Sequence, residues 1–87
     1  MEILFTEVCV PYDVSGVSFQ AKVDGNNVTC IILMEALDDI DPQNRFEKPL
    51  AKYENNRVKF ENIARQKIQQ GEWHNGRVVI GRDDVAQ

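Results

Sequence analysis

Residues 50–70 read LAKYENNRVKFENIARQKIQQ, with Pro49 before them and Gly71 after. At about 100° per residue, Leu50, Tyr53, Phe60, Ala64 and Ile68 fall in one stripe, which Ile63 and Val58 widen on either side. Ala51, Lys52, Asn55, Lys59, Asn62, Gln66 and Gln70 lie opposite, and nearly all of them suit water. Pro49 suits a first helical turn, where no amide donor is required. Gly71 supplies the left-handed residue that commonly ends a helix. The pattern predicts one amphipathic helix of about six turns, roughly 30 Å long. Such a helix needs a flat apolar surface to lie on.

The first half of the chain supplies that surface. Val17, Phe19, Ala21 and Val23 alternate with Ser18, Gln20 and Lys22, a period of two with one wet face. Asp24-Gly25-Asn26-Asn27 is a turn cluster, and Val28, Cys30 and Ile32 then resume the alternation. This is a hairpin. With Gly25-Asn26 central in the turn, Val23 is expected to face Val28, Ala21 to face Cys30 and Phe19 to face Ile32. A slip of one residue would put polar positions on the buried side.

Around this pair the remaining elements are short. Ile3, Leu4 and Phe5 suit a strand, and Val8, Cys9 and Val10 extend it or pair locally. Pro11, Asp13, Ser15 and Gly16 read as turn chemistry within Thr6 to Gly16. Met34 to Ile40 reads as a short helix, broken by Asp41-Pro42-Gln43-Asn44, with Phe46 anchoring the connection. After Gly71, residues 72–76 form a turn and Arg77 to Ile80 a last strand, ended by Gly81. Residues 82–87 are expected to fray. The expected architecture is one α+β domain of order β-β-β-α-α-β. Its small antiparallel sheet is covered on one face by the long helix, with the short helix alongside.

Composition bounds the function. The chain has 87 residues, 43% hydrophobic and 28% charged, which is ordinary for a soluble globular domain. No run of eighteen apolar residues is present, so no membrane helix is expected. The start, MEILFTEVCV, lacks the basic and small-residue features of a signal peptide, and the expected location is cytoplasmic. Without secretion, the glycosylation sequon Asn27-Val28-Thr29 carries no meaning. The net charge of −4 is unevenly spread: residues 48–71 hold six bases and two acids, and residues 1–47 nine acids and two bases. A basic helix on an acidic body is read as solvated charge balancing the remainder. A nucleic-acid face would show more Arg and Lys and a basic domain overall.

Few residue constellations invite chemistry. Glu35, Asp38, Asp39 and Asp41 form an acidic cluster. As a calcium loop starting at Asp39 it fails, with Asn44 where Gly is needed and Leu50 where the closing Glu is needed. His74, the single histidine, has no nearby Cys or second His for zinc, and its neighbours Asn75 and Gly76 put it in a turn. Cys30 sits among inward-facing strand residues, where a thiol acts as a small hydrophobe. Cys9 has no basic neighbour to lower its pKa. Two cysteines are too few for a disulfide scaffold. No glycine-rich phosphate loop or Gly-x-Ser-x-Gly elbow occurs. No catalytic residue, metal site or cofactor is assigned.

Arg57 breaks a local rule, because it lies inside the apolar stripe between Tyr53, Phe60 and Ala64. Glu54 and Glu61 are within its reach. One reading buries the stem along the sheet and pairs the head with Glu61. The other presents a bidentate donor to an anionic ligand or partner carboxylate, with Tyr53, Glu61 and Trp73 beside it. Ile31 and Leu33 are a second irregularity, since they share the face of Ser18, Gln20 and Lys22. Either the N-terminal segment or Trp73 covers them, or they form an interface with another subunit in a homodimer. The leading functional reading is a small non-catalytic interaction or regulatory module with a protein partner. Behind it stand an anionic-ligand or enzymatic role centred on Arg57, and nucleic-acid binding through the basic face of residues 50–70.

Several stretches together resemble a known family. ILFTE at the start, VSFQAKVDG, the strand VTCII and the helix NRVKFENIARQKIQQGEW are similar to the small bacterial proteins grouped as domain of unknown function 1488. The resemblance runs from Ile3 to Ile80. It implies a small α+β domain from a bacterium, with variable length across residues 41–48. It implies no activity, so it assigns no functional residue.

Overall fold

The computed structural model describes residues 1–13, 16–40, 42 and 48–85, and for residues 7–13 the backbone alone. Eight elements follow one another: β1 (Ile3–Asp13), β2 (Gly16–Val23), β3 (Asn26–Leu33), α1 (Met34–Ile40), α2 (Pro49–Asn55), α3 (Arg57–Gln69), β4 (Arg77–Ile80) and α4 (Arg82–Val85). The expectations for residues 41 and 43–47, Phe46 among them, lie outside the described residues.

The α+β reading holds, with one four-stranded sheet in the order β1-β2-β3-β4. β1–β2 and β2–β3 are antiparallel, but β3 and β4 run parallel, pairing Cys30 with Val78 and Ile32 with Ile80. The sheet is thus mostly antiparallel, as expected, with β3–β4 a parallel pair. Parallel neighbours need a crossover connection, and the helices between β3 and β4 supply it. β1 is also longer than its turn-rich sequence suggests. Register shifts between Phe5 and Cys9 and between Pro11 and Asp13 absorb the awkward residues. A proline is tolerated on such an edge strand.

The hairpin forms with a register two residues from the expected one. Val23 pairs with Asn26, Ala21 with Val28, Phe19 with Cys30 and Val17 with Ile32. The tight turn is Asp24-Gly25, with φ of 51° and 86°, the paired positive values that two-residue hairpin turns demand. A two-residue shift leaves every side chain on its expected face, so the core is unchanged. At the far end Gly16 lies so close to β3 that a Cβ would meet the Ile32 carbonyl oxygen at 1.8 Å. No other residue fits there without displacing a strand.

One face of the sheet carries Val17, Phe19, Ala21, Val23, Val28, Cys30, Ile32, Val78 and Ile80, all buried. Ala36, Leu37, Tyr53, Phe60, Ala64 and Ile68 close over it from the helices. Full burial of a Phe or Leu side chain contributes about 1.5–3 kcal/mol, so these contacts dominate the stability of so small a chain.

The single long helix is also corrected, because it is two helices meeting at Asn56. There φ is −126° and ψ 22°. The buried Asn56 amide donates to the Lys52 carbonyl at 2.9 Å. Asparagine competes for backbone partners in this way and is a poor interior helix residue. The bend re-phases the first segment: Lys52 is 3% exposed while Leu50 is 36% exposed, the reverse of a straight wheel. Val58 lies outside the stripe, 68% exposed, whereas Phe60, Ala64 and Ile68 are buried as their spacing predicts. The helix ends as expected, with Gly71 at φ 75° and the Glu72 N–H donating back to the Lys67 carbonyl at 2.8 Å. Beyond Gly81, where the sequence pattern assigns no element, α4 forms one helical turn.

Candidate functional site

Arg57 opens α3 immediately after the break, which turns it half out of the core. Its Nε donates to Glu61 Oε2 at 3.0 Å, one helical turn on. The pair is half-buried, the geometry of the internal reading. Tyr53 lies elsewhere, within the core: its ring is 5.1 Å from Phe19 and 6.1 Å from Phe60, centroid to centroid. Phe5 extends this aromatic row on one side, 6.0 Å from Phe19, and carries the Arg65 guanidinium 5.3 Å above its ring. Trp73 is half-buried against the core cluster. The structure thus brings Arg57 and Glu61 together and points Tyr53 inward, into the core.

Ile31 and Leu33 lie on the helix-free face of the sheet. Ile31 is buried at 5% exposed and Leu33 half-buried, while their neighbour Val79, opposite Ile31 on β4, is 46% exposed. The accessible apolar residue of this face beside them is therefore Val79.

Most of the basic helix charge is engaged within the chain. Lys52 reaches Asp38 of α1 at 2.5 Å, Arg57 pairs with Glu61, and Lys67 reaches Asp84 of α4 at 2.9 Å. Arg65 donates to Asn62 at 2.9 Å. Asp39, from the acidic cluster, accepts from Arg82 at 2.7 Å. These pairs tie α1 to α2 on one side and to α4 on the other. Asp84 has a pKa below the usual carboxylate value. Burial pushes it up, but the Gly81 N–H and the Lys67 ammonium together outweigh that push. Lys52 and α4 are the features that the sequence pattern missed. The Asn55-Asn56 pair was the available signal for the bend that buries Lys52.

The chemistry-bearing singletons are equally placed. Burial pushes the Cys30 thiol up to about 12, far above the range in which a thiolate attacks. His74 is exposed in its turn, its backbone bridged to Arg77 in both directions. The Cys9 side chain lies outside the described residues, as does Asp41. Among the described residues no three His, Cys, Asp or Glu side chains gather closely enough to hold a metal ion. A cavity of about 90 Å³ lies away from Arg57, lined by Ile63, Gln66, Lys67, Gln70, Glu72 and Asp84. No helix of the described residues is long and apolar enough to cross a membrane.

Comparison with known proteins agrees with this geometry. No curated protein matches the chain. A crystal structure of a protein of unknown function from Shewanella loihica PV-4, from the DUF1488 family, is 28% identical. It superposes with a TM-score of 0.78, over 92% of this chain and 94% of the other. The model of the family described as protein of unknown function (DUF1488) matches residues 3–80, the whole of the sheet and the helices that cover it. The chain belongs to the DUF1488 family.

Proposed function

We propose that the chain is a non-catalytic cytoplasmic interaction module whose contact surface is the helix-free face of its sheet, taking a second copy of the chain. The observation that carries this reading is one-sided cover. The helices pack on one face of four strands, while Val79 and Leu4 stand in solvent on the other, with Leu33 half-buried beside buried Ile31. Val79 and Leu33 flank Ile31 on this face, and apolar residues so placed suit sheet-on-sheet contact, at about 10 Å separation. The internal ion pairs support the same reading, since they engage Arg57, Lys52 and Lys67 within the fold. That leaves less cationic surface for nucleic acid or an anionic ligand.

Sedimentation equilibrium of the purified chain tests this. The wild type is expected to dimerise at high micromolar concentration. Val79→Lys, at an exposed position, should remain folded and run as a monomer, because an unpaired ammonium in an apolar seam is costly. A wild type that stays monomeric throughout overturns the reading.

A further inference from the structure

The helix layer, on the other side of the sheet, carries a second surface. α4 has four residues, too few to hold a helix by themselves, so what seats it is its contacts. Asp84 grips α3 through one oxygen, Oδ1 accepting from Lys67 Nζ at 2.9 Å, while its Oδ2 accepts from the Gly81 N–H at 2.9 Å and closes the segment's own turn. Arg82 Nε donates to Asp39 Oδ2 of α1 at 2.7 Å. Val85 packs half-buried against the core. The segment therefore sits as a peptide ligand would, with one carboxylate on a lysine and one aliphatic side chain in an apolar seat. It also lies past Ile80, where the family match ends and the sheet is already complete.

α4 does not fill its seat. The cavity of about 90 Å³ next to Asp84 is lined by Gln66, Gln70, Lys67, Glu72 and Ile63. A carboxylate one methylene longer than Asp84 would reach further along Lys67 into that space. The ion pairs that hold α4 are partly in water, and such pairs are weak and screened by salt. Cover held this lightly can be displaced.

We infer that the seat of α4 on α1 and α3 is a docking site for a short acidic segment of a partner protein, a Glu or Asp followed by an aliphatic residue, and that α4 occupies it as the chain's own competitor. Lys67 provides the charge that selects the carboxylate, and the seat of Val85 selects the aliphatic side chain. This site lies in the helix layer and does not rest on the sheet-face reading. The two fail separately, one in sedimentation and the other in peptide binding.

The test uses the full chain carrying Asp84→Lys, which sets a like charge against Lys67 and lifts α4. The probes are an acetylated peptide of the sequence GRDDVAQ, residues 81–87, and the same peptide with Asp84→Glu. Amide exchange and amide NMR shifts are read on the protein. The variant should keep its sheet amides protected while α4 exchanges freely. It should bind the peptide about tenfold or more tighter than the wild type, where α4 competes. Shifts should centre on Gln66, Lys67 and Gln70, and the Glu peptide should bind better than the Asp peptide. A second change, Lys67→Gln, which removes the selecting charge and offers no opposite charge to position 84, should abolish binding. Three results overturn the inference. The folded variant takes up no peptide at millimolar concentration; wild type and variant bind equally; or the variant loses its protected sheet, which makes α4 part of the core and not a ligand.

Discussion

Lys52 and Leu50 exchange roles at the bend, and the exchange sets a measurable cost. A straight helix puts Lys52 in water and Leu50 in the core, whereas the structure buries Lys52 at 3% exposed and leaves Leu50 at 36%. Lys52→Ala removes three buried methylenes beyond Cβ, at about 0.8 kcal/mol each, so it should cost about 2–3 kcal/mol. At an exposed helix position the same change should cost less than about 0.5 kcal/mol. Leu50→Ala should cost about 1 kcal/mol or less, against about 2–5 kcal/mol for a buried leucine. Lys52→Met keeps the stem and removes the charge, and should lie within about 1 kcal/mol of wild type. Asp38→Ala strands the ammonium. Because Asp38 is half in water, its cost should fall to about 1–2 kcal/mol, below that of breaking a fully buried pair. Urea unfolding followed by Trp73 fluorescence measures all four. With a slope of about 1 kcal/mol per molar, a loss of about 2 kcal/mol moves the midpoint by about 2 M. If Lys52→Ala unfolds with the wild type while Leu50→Ala falls by molar amounts, the bend at Asn56 is wrong and the straight helix right.

Phe60→Ala should cost about 3–5 kcal/mol, because the ring is fully buried between Tyr53 and the sheet; Val58→Ala, two residues away and exposed, should change the urea midpoint little. The Arg57–Glu61 pair, half-buried and one turn apart, should show a coupling of about 0.3–1 kcal/mol in a double-mutant cycle, and zero coupling would remove it as a structural contact. Asp84 titrates below its ordinary value, so its contribution is fully present above the unfolded-state pKa, near 3.9. It is lost as pH falls through the lower folded value. Wild type should therefore lose more stability than Asp84→Asn on acidification below about pH 4; parallel pH profiles would contradict this.

Local periodicity determined much of this protein. Alternation from Val17 to Ile32 decided which face of the hairpin is wet, and Phe60, Ala64 and Ile68 marked the buried edge of α3. Met34–Ile40 and the stop at Gly71 were likewise written in neighbouring residues. The hairpin register was not, because pairings two residues apart bury the same side chains. The conformation of Asp24-Gly25 chose between them. Of the candidate site, the spacing of Arg57 and Glu61 showed their pairing and the apolar stripe turned Tyr53 inward, but a wheel gives a direction without a depth, so its place between Phe19 and Phe60 was not legible.

What only the tertiary structure decided involves partners distant in sequence. The parallel pairing of β4 with β3 depends on the path of three helices across the sheet. Asn56 bends the helix because its amide finds a buried carbonyl, and the bend turns Lys52 toward Asp38, fourteen residues away. Lys67 and Asp84 meet only after β4 has crossed between them. A period in the sequence states which side of an element avoids water. It carries no information about which other element supplies the cover, since that is settled by packing and loop closure over the whole chain.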